Sequence, residues 1–363
     1  MSKLLLRMFV VVLLFNMSNA LNAAEKKIDE DTLAAMKQTR DLSGETWGPP
    51  LEQGVTQDGF QLTATFFPGN VNKDTIPVVL FHGNDGDRSD FTMLANKMSS
   101  NGLAVLAPDL RGHGKSIKRY VFDELKNPQP QQDWQPPQQE RNRRFVGKGG
   151  NNRNDDNMPP EQEPIVVPKL VTIKAEDLLP QDYDAMTMFD IPLFNRYMRV
   201  QNDGGYLNMN KLVVIGSDIG AALATYWAIR DWGRGADHHT KMLVLINPAP
   251  LRSDQNFVLY FKEASKNFKD NVKVMIITSA NNPNGMQLAA KIKEALLTPK
   301  ELTADADKTG IESRLPTITV ESAEKGAALL NDDKAGVTNL VIDFLTDRFS
   351  KYKEKDNKWT RAK

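Results

Sequence analysis

Apolar residues fall along this chain in two patterns. Phe60-Gln61-Leu62-Thr63-Ala64-Thr65-Phe66 alternates apolar and polar positions, the period of a half-buried strand. Residues 76–81, 103–107, 211–215, 242–246 and 272–278 are instead short, nearly continuous apolar runs, as expected of parallel strands covered on both faces. Between these runs, helices fit 90–100, where Phe91, Leu94, Ala95 and Met98 share a face, and 180–200, 219–232, 257–264 and 286–297. Thr317-Ile318-Thr319-Val320 is the last expected strand, and 327–349 holds the closing helix or helices. The alternation predicts an α/β domain over residues 55–349, a mainly parallel sheet of seven or eight strands with right-handed crossovers and helices on both faces.

Two stretches depart from this order. Residues 127–168 are loaded with Pro, Gln, Asn and Arg, as in Gln129-Pro130-Gln131-Gln132 and Gly149-Gly150-Asn151-Asn152. So little apolar surface does not offset the entropy of ordering, and the segment is expected to be a disordered insertion, serving as a spacer, a lid or a partner-binding strip. At the N-terminus, Lys3 and Arg7 precede an apolar stretch from Met8 to Phe15, followed by Ser18-Asn19-Ala20 and Asn22-Ala23-Ala24. This is the order of a secretory signal peptide over residues 1–24, cut after Ala20, Ala23 or Ala24. The apolar run stops at Asn16, short of the about 20 residues that cross a bilayer. A secreted or periplasmic protein without a stable membrane anchor is therefore expected. Residues 25–54 read as an irregular lead-in and 350–363 as a basic tail.

Composition removes several classes of function. Lys plus Arg and Asp plus Glu both number 46, so there is no basic excess to neutralise nucleic-acid phosphates. The absence of cysteine excludes disulfides, thiolate metal ligands and a cysteine nucleophile. There are four histidines, His82, His113, His238 and His239. The first two fall in turns, and the adjacent pair lies in a polar loop with no carboxylate cluster near it, so no metal or cofactor is expected.

Three turns carry the candidate chemistry: Phe81-His82-Gly83-Asn84, then Asp109-Leu110-Arg111-Gly112-His113-Gly114-Lys115-Ser116, then Gly216-Ser217-Asp218-Ile219-Gly220 between an apolar run and a helix. In order, and each at a strand end, they resemble the α/β-hydrolase superfamily. They match its His-Gly turn, its Asp-x-Arg-Gly-His-Gly-x-Ser turn and its G-x-nucleophile-x-G elbow. The resemblance implies that Asp218 stands at the nucleophile position, with the Ile219 N–H pointing into the oxyanion hole. Ser217 lies one place too early and becomes the nucleophile only if the register shifts. An aspartate there is similar to the haloalkane dehalogenases and epoxide hydrolases, in which a carboxylate attacks carbon. Asn84 matches the asparagine that holds the departing halide in the dehalogenases. Ile219 replaces the tryptophan of those families, and residues 246–272 leave little room for their cap domain.

The resemblance also implies a histidine after the last strand, where this chain has Glu321-Ser322-Ala323-Glu324-Lys325-Gly326. Lys325 occupies the histidine's position, and a solvated ammonium has no lone pair with which to act as a base. The acid's loop reads Ser279-Ala280-Asn281-Asn282 and holds no carboxylate, with Asp254 a possible substitute. The first expectation is therefore an exported α/β-hydrolase-fold protein with a degenerate triad, binding a small molecule or peptide in its cleft. An active hydrolase of esters, C-halides or epoxides using Asp218 or Ser217 is the alternative. An interaction protein working through the insertion is a third.

Overall fold

The computed structural model describes residues 37–42, 54–121, 169–233, 238–252, 256–305, 313–324, 326–332, 334–351 and 358–361. The expected signal peptide, most of the lead-in and tail, the insertion, Asp254 and Lys325 lie outside them. Eleven strands are described: β1 (Arg40–Leu42), β2 (Phe60–Gln61), β3 (Ala64–Phe67), β4 (Pro77–Phe81), β5 (Ala104–Pro108), β6 (Lys118–Val121), β7 (Lys169–Thr172), β8 (Leu212–Ser217), β9 (Thr240–Ile246), β10 (Lys273–Ser279) and β11 (Thr317–Val320). Eight of them form one sheet in the order β1-β3-β5-β4-β8-β9-β10-β11. β1 and β3 pair antiparallel at one edge, and every pair from β5–β4 to β10–β11 is parallel.

The continuous apolar runs are explained by burial on both sides. Val79 and Phe81 of β4 enter one core with Phe194, Trp227 and Phe261, while Val78 and Leu80 enter the other with Phe91, Met98 and Phe344. α1 (Thr92–Ser100) and α9 (Val337–Ser350) cover the second face. The first face is covered by α2 (Pro180–Ala185), α3 (Ile191–Asp203), α4 (Ile219–Asp231), α5 (Phe257–Glu263), α6 (Lys266–Asn271) and α7 (Pro283–Leu296), with α8 (Pro299–Asp305) beside them.

Two elements differ from the sequence reading. The alternating run 60–66 is two strands in two sheets, because the chain turns a corner at Thr63. The Thr63 N–H donates to Ser116 Oγ (2.9 Å), and its carbonyl accepts from the Asp109 N–H (2.9 Å). The helix expected over 180–200 is interrupted by a π turn, Met186–Asp190, just before Pro192. Proline lacks the N–H that would bond the carbonyl four residues back, and its ring crowds that carbonyl, so the chain widens there.

The second sheet, β2-β6-β7, is antiparallel and was not expected from the pattern. In it Val121 pairs with Lys169, so the two strands that flank residues 122–168 lie side by side. Among the described residues no helix is long and apolar enough to cross a membrane.

Candidate active site at the strand-to-helix elbow

β8 passes into α4 through a single residue, Asp218, at φ 53° and ψ −125°. A non-glycine residue avoids this region unless its surroundings hold it there. Here the Asp218 N–H donates to the Ile246 carbonyl (3.0 Å), and its own carbonyl accepts from the N–H groups of Ala221 (3.0 Å) and Ala249 (3.1 Å). The flanking glycines make the turn sterically feasible. A Cβ on Gly220 would stand 2.2 Å from the Phe81 carbonyl oxygen, and one on Gly216 would stand 2.1 Å from that of Gly220. α4 therefore starts against the end of β4, which places the Asp218 side chain beside the turn after β4.

That turn holds the carboxylate. The Asn84 N–H donates to Asp218 Oδ2 (3.0 Å), and Gly83 allows the approach, since a Cβ there would lie 2.9 Å from the Asp218 Cβ. The Asn84 side chain is occupied: its Oδ1 accepts from the Tyr183 hydroxyl (3.0 Å) and its Nδ2 donates to Asp85 Oδ1 (3.1 Å). The Arg252 guanidinium lies 5.6 Å above the Tyr183 ring. Asp218 lines a cleft of about 560 Å³ with Asp85, Asn247 and Glu324. Asn84 and His113 line a neighbouring one of about 710 Å³, and the two clefts share Asp85, Gly86 and Asp90. Ile219 is 5% exposed and packs into the core, and Ser217 is fully buried, its hydroxyl without a hydrogen-bond partner among the described residues.

A family model for the alpha/beta hydrolase fold matches residues 76–326. The chain belongs to the α/β-hydrolase fold family. No curated protein matches it. Among solved structures it is similar to a predicted CIB-like hydrolase from Thermoplasma acidophilum, at 11% identity and TM-score 0.46 over 85% of this chain and 99% of that one. It is also similar to a dienelactone hydrolase from Anabaena variabilis, at 13% identity and TM-score 0.44 over 85% and 97%. A third is the Pyrococcus furiosus esterase Pf2001, at 13% identity and TM-score 0.43 over 88% and 97%. At these levels the likenesses say nothing about chemistry.

Measured against a hydrolase triad, the four histidines are all committed elsewhere. His82 is buried, and its Nε2 accepts from the Leu110 N–H (2.9 Å), so Nδ1 carries the proton and donates to the Gly83 carbonyl (2.7 Å). His113 sits between two carbonyls, with Nδ1 2.9 Å from that of Arg111 and Nε2 2.7 Å from that of Asn84. His238 stacks on Trp232 at 4.6 Å, and His239 Nδ1 lies 3.1 Å from Asn210 Oδ1. The last two precede β9 and so stand at the edge of the sheet opposite the elbow.

The loops that carry acid and histidine in a hydrolase are tied together by neutral groups. Ser279 Oγ (2.7 Å) and Asn281 Nδ2 (2.8 Å) both donate to the Ser322 carbonyl. Glu324 and Gly326, on either side of Lys325, line the Asp218 cleft.

Burial holds the His82 pKa far down, to about 3, against the opposing bond to Gly83. The unfolded chain takes up this proton near the usual histidine pKa, about 6.5, whereas the folded chain refuses it until about pH 3. Stability from this group is thus full above 6.5 and lost as pH falls, by up to about 1.4 kcal/mol per unit. Urea titrations at pH 7.5 and 5 are expected to show a steeper loss in the wild type than in His82→Asn. Parallel losses would contradict the assignment.

Several cleft residues had no place in the sequence reading. Asn247 had a usable signal, since it directly follows a buried strand, where ligands gather in open α/β sheets. Arg252, Asp85, Asp90 and Glu324 reach the two clefts through the topology and carry no motif, and Tyr183, itself buried, reaches them only through its bond to Asn84.

Proposed function

We propose that this protein is an exported, non-catalytic member of the α/β-hydrolase fold family that holds a small molecule or peptide above Asp218 and releases it unchanged. The observation that carries this reading is the fate of the histidines. A carboxylate or hydroxyl nucleophile needs a base within hydrogen-bond reach to attack or to activate water. All four imidazoles of the chain are engaged on other partners, and none is hydrogen-bonded to Asp218. The turn after β4 is where hydrolases of this fold carry their second oxyanion donor, and here its Asn84 N–H is spent on Asp218 Oδ2. Loss of one such donor costs roughly 10²–10³ in rate in hydrolases that depend on it.

The second reading, an active hydrolase using Asp218, has one observation in its favour: the carboxylate lines the cleft, and among the described residues nothing is hydrogen-bonded to its Oδ1. Initial rates on p-nitrophenyl esters, haloalkanes and epoxides separate the two. The binding reading expects rates near the uncatalysed background, unchanged in Ser217→Ala and Asp218→Asn. Robust turnover that disappears in Asp218→Asn would establish the second reading instead. Export rests on the order of charge, apolar run and small residues in 1–24, and N-terminal sequencing of protein recovered outside the cytoplasm tests it.

A further inference from the structure

The cleft over Asp218 has an unusual charge. Asp85, Asp90, Asp218 and Glu324 all line it, and no Lys, Arg or His does so among the described residues; Lys174, Arg252 and His113 line the neighbouring cleft, which shares Asp85 and Asp90. Among the described residues none of the four carboxylates is in an ion pair. Asp218 and Asp85 accept from Asn84, Asp90 accepts from the Asp87 backbone, and no hydrogen bond reaches the Glu324 carboxylate. Burial, and then the neighbouring Asp87, push the Asp90 carboxyl above its ordinary range. In a chain of zero net charge this concentration is local.

Asn247 adds an independent observation. It lines the same cleft and is 3% exposed. Its Oδ1 accepts from the Ser279 N–H (2.8 Å), which fixes the orientation of the amide, and its Nδ2 then has no acceptor among the described residues. An unmet buried donor costs about 1–3 kcal/mol, so this one marks a position where a ligand acceptor would be stabilising. Among the described residues no three acidic or histidine side chains come together to hold one metal ion, so the charge is spread over a small-molecule-sized space.

We propose that this cleft selects a small organic cation, an ammonium or guanidinium compound that also carries a carbonyl or hydroxyl acceptor for Asn247. The inference rests on the binding reading above and gives it a ligand class. The positive group lies among Asp85, Asp90, Asp218 and Glu324, and the acceptor meets Asn247 Nδ2.

Isothermal titration calorimetry tests this with L-argininamide, which has both features, spermidine, which has charge alone, and N-acetylglycinamide, which has an acceptor alone. L-Argininamide is expected to bind best. Its affinity should fall at least about tenfold in Asp85→Asn/Asp90→Asn, and also as NaCl rises from about 20 to about 200 mM. Asn247→Asp keeps the acceptor for Ser279 and removes the donor, so the preference for L-argininamide over spermidine should shrink. Thermal melts of both variants establish that they fold. No binding of either cation, binding no better than N-acetylglycinamide, or full affinity in the double variant would overturn the charge assignment and leave the binding reading standing. Conversely, hydrolysis of L-argininamide that stops in Asp218→Asn would sink the non-catalytic reading while the preference for cations survived.

Discussion

Arg111→Leu is expected to destabilise the protein by about 3–5 kcal/mol. The Arg111 guanidinium is fully buried, donates to both oxygens of Asp190 and of Asp58, and lies 4.6 Å above the Phe60 ring. It ties the turn after β5 to the small sheet and to the π turn ahead of α3. Burial alone would lower its pKa, but the two carboxylates reverse this and raise it, so the charge is firmly held. Removing it leaves Asp190, itself 1% exposed, as an uncompensated buried carboxylate. Burial already pushes Asp190 up to about 6 against the pull of Arg111. In the variant Asp190 escapes further penalty by taking a proton, so the deficit should be smaller at pH 5 than at pH 8. The double change Arg111→Leu/Asp190→Leu should recover part of the loss in urea titrations. Strict additivity would mean that packing, not charge, sets the cost.

Gly220→Ala should cost about 3 kcal/mol, although in an exposed helix the same change would gain about 1 kcal/mol from propensity. The added methyl would meet the carbonyl oxygens of Phe81 at 2.2 Å and His82 at 2.4 Å. Neither can retreat freely, because Phe81 is paired in register with Gly216 and β4 is bonded on both sides. The clash therefore outweighs the propensity gain. The change should also move Asp218 off the Asn84 N–H, which the amide shift of Asn84 would report. A rise in melting temperature would contradict the close approach of α4 to β4.

The legibility of this chain follows from where its information is local. Continuous runs such as Val78-Val79-Leu80-Phe81 show double-sided burial by themselves, and the elbow is marked by Gly216 and Gly220 on either side of Asp218. The small sheet carried no such mark. β6 is half-buried throughout and β7 mostly exposed, so neither shows the apolar pattern of a core strand, and they pair across the 47 intervening positions 122–168 of the sequence. The engagement of Asn84 was equally hidden, because its partner Tyr183 lies 99 residues away. The acidic character of the cleft arises from the turn after β4, the elbow and the loop after β11, and only the order of strands brings them together.

The binding account is tested most directly by intact-mass spectrometry of the protein after prolonged incubation with p-nitrophenyl acetate, a primary bromoalkane and a terminal epoxide. If Asp218 could attack, the bromoalkane or the epoxide would leave an alkyl ester on its carboxylate in stoichiometric amount, since no base activates water to release it, while p-nitrophenyl acetate would give a labile anhydride and free p-nitrophenolate. The account predicts an unchanged mass and no product above the uncatalysed background. An adduct on the peptide containing Asp218, absent in Asp218→Asn, would contradict it.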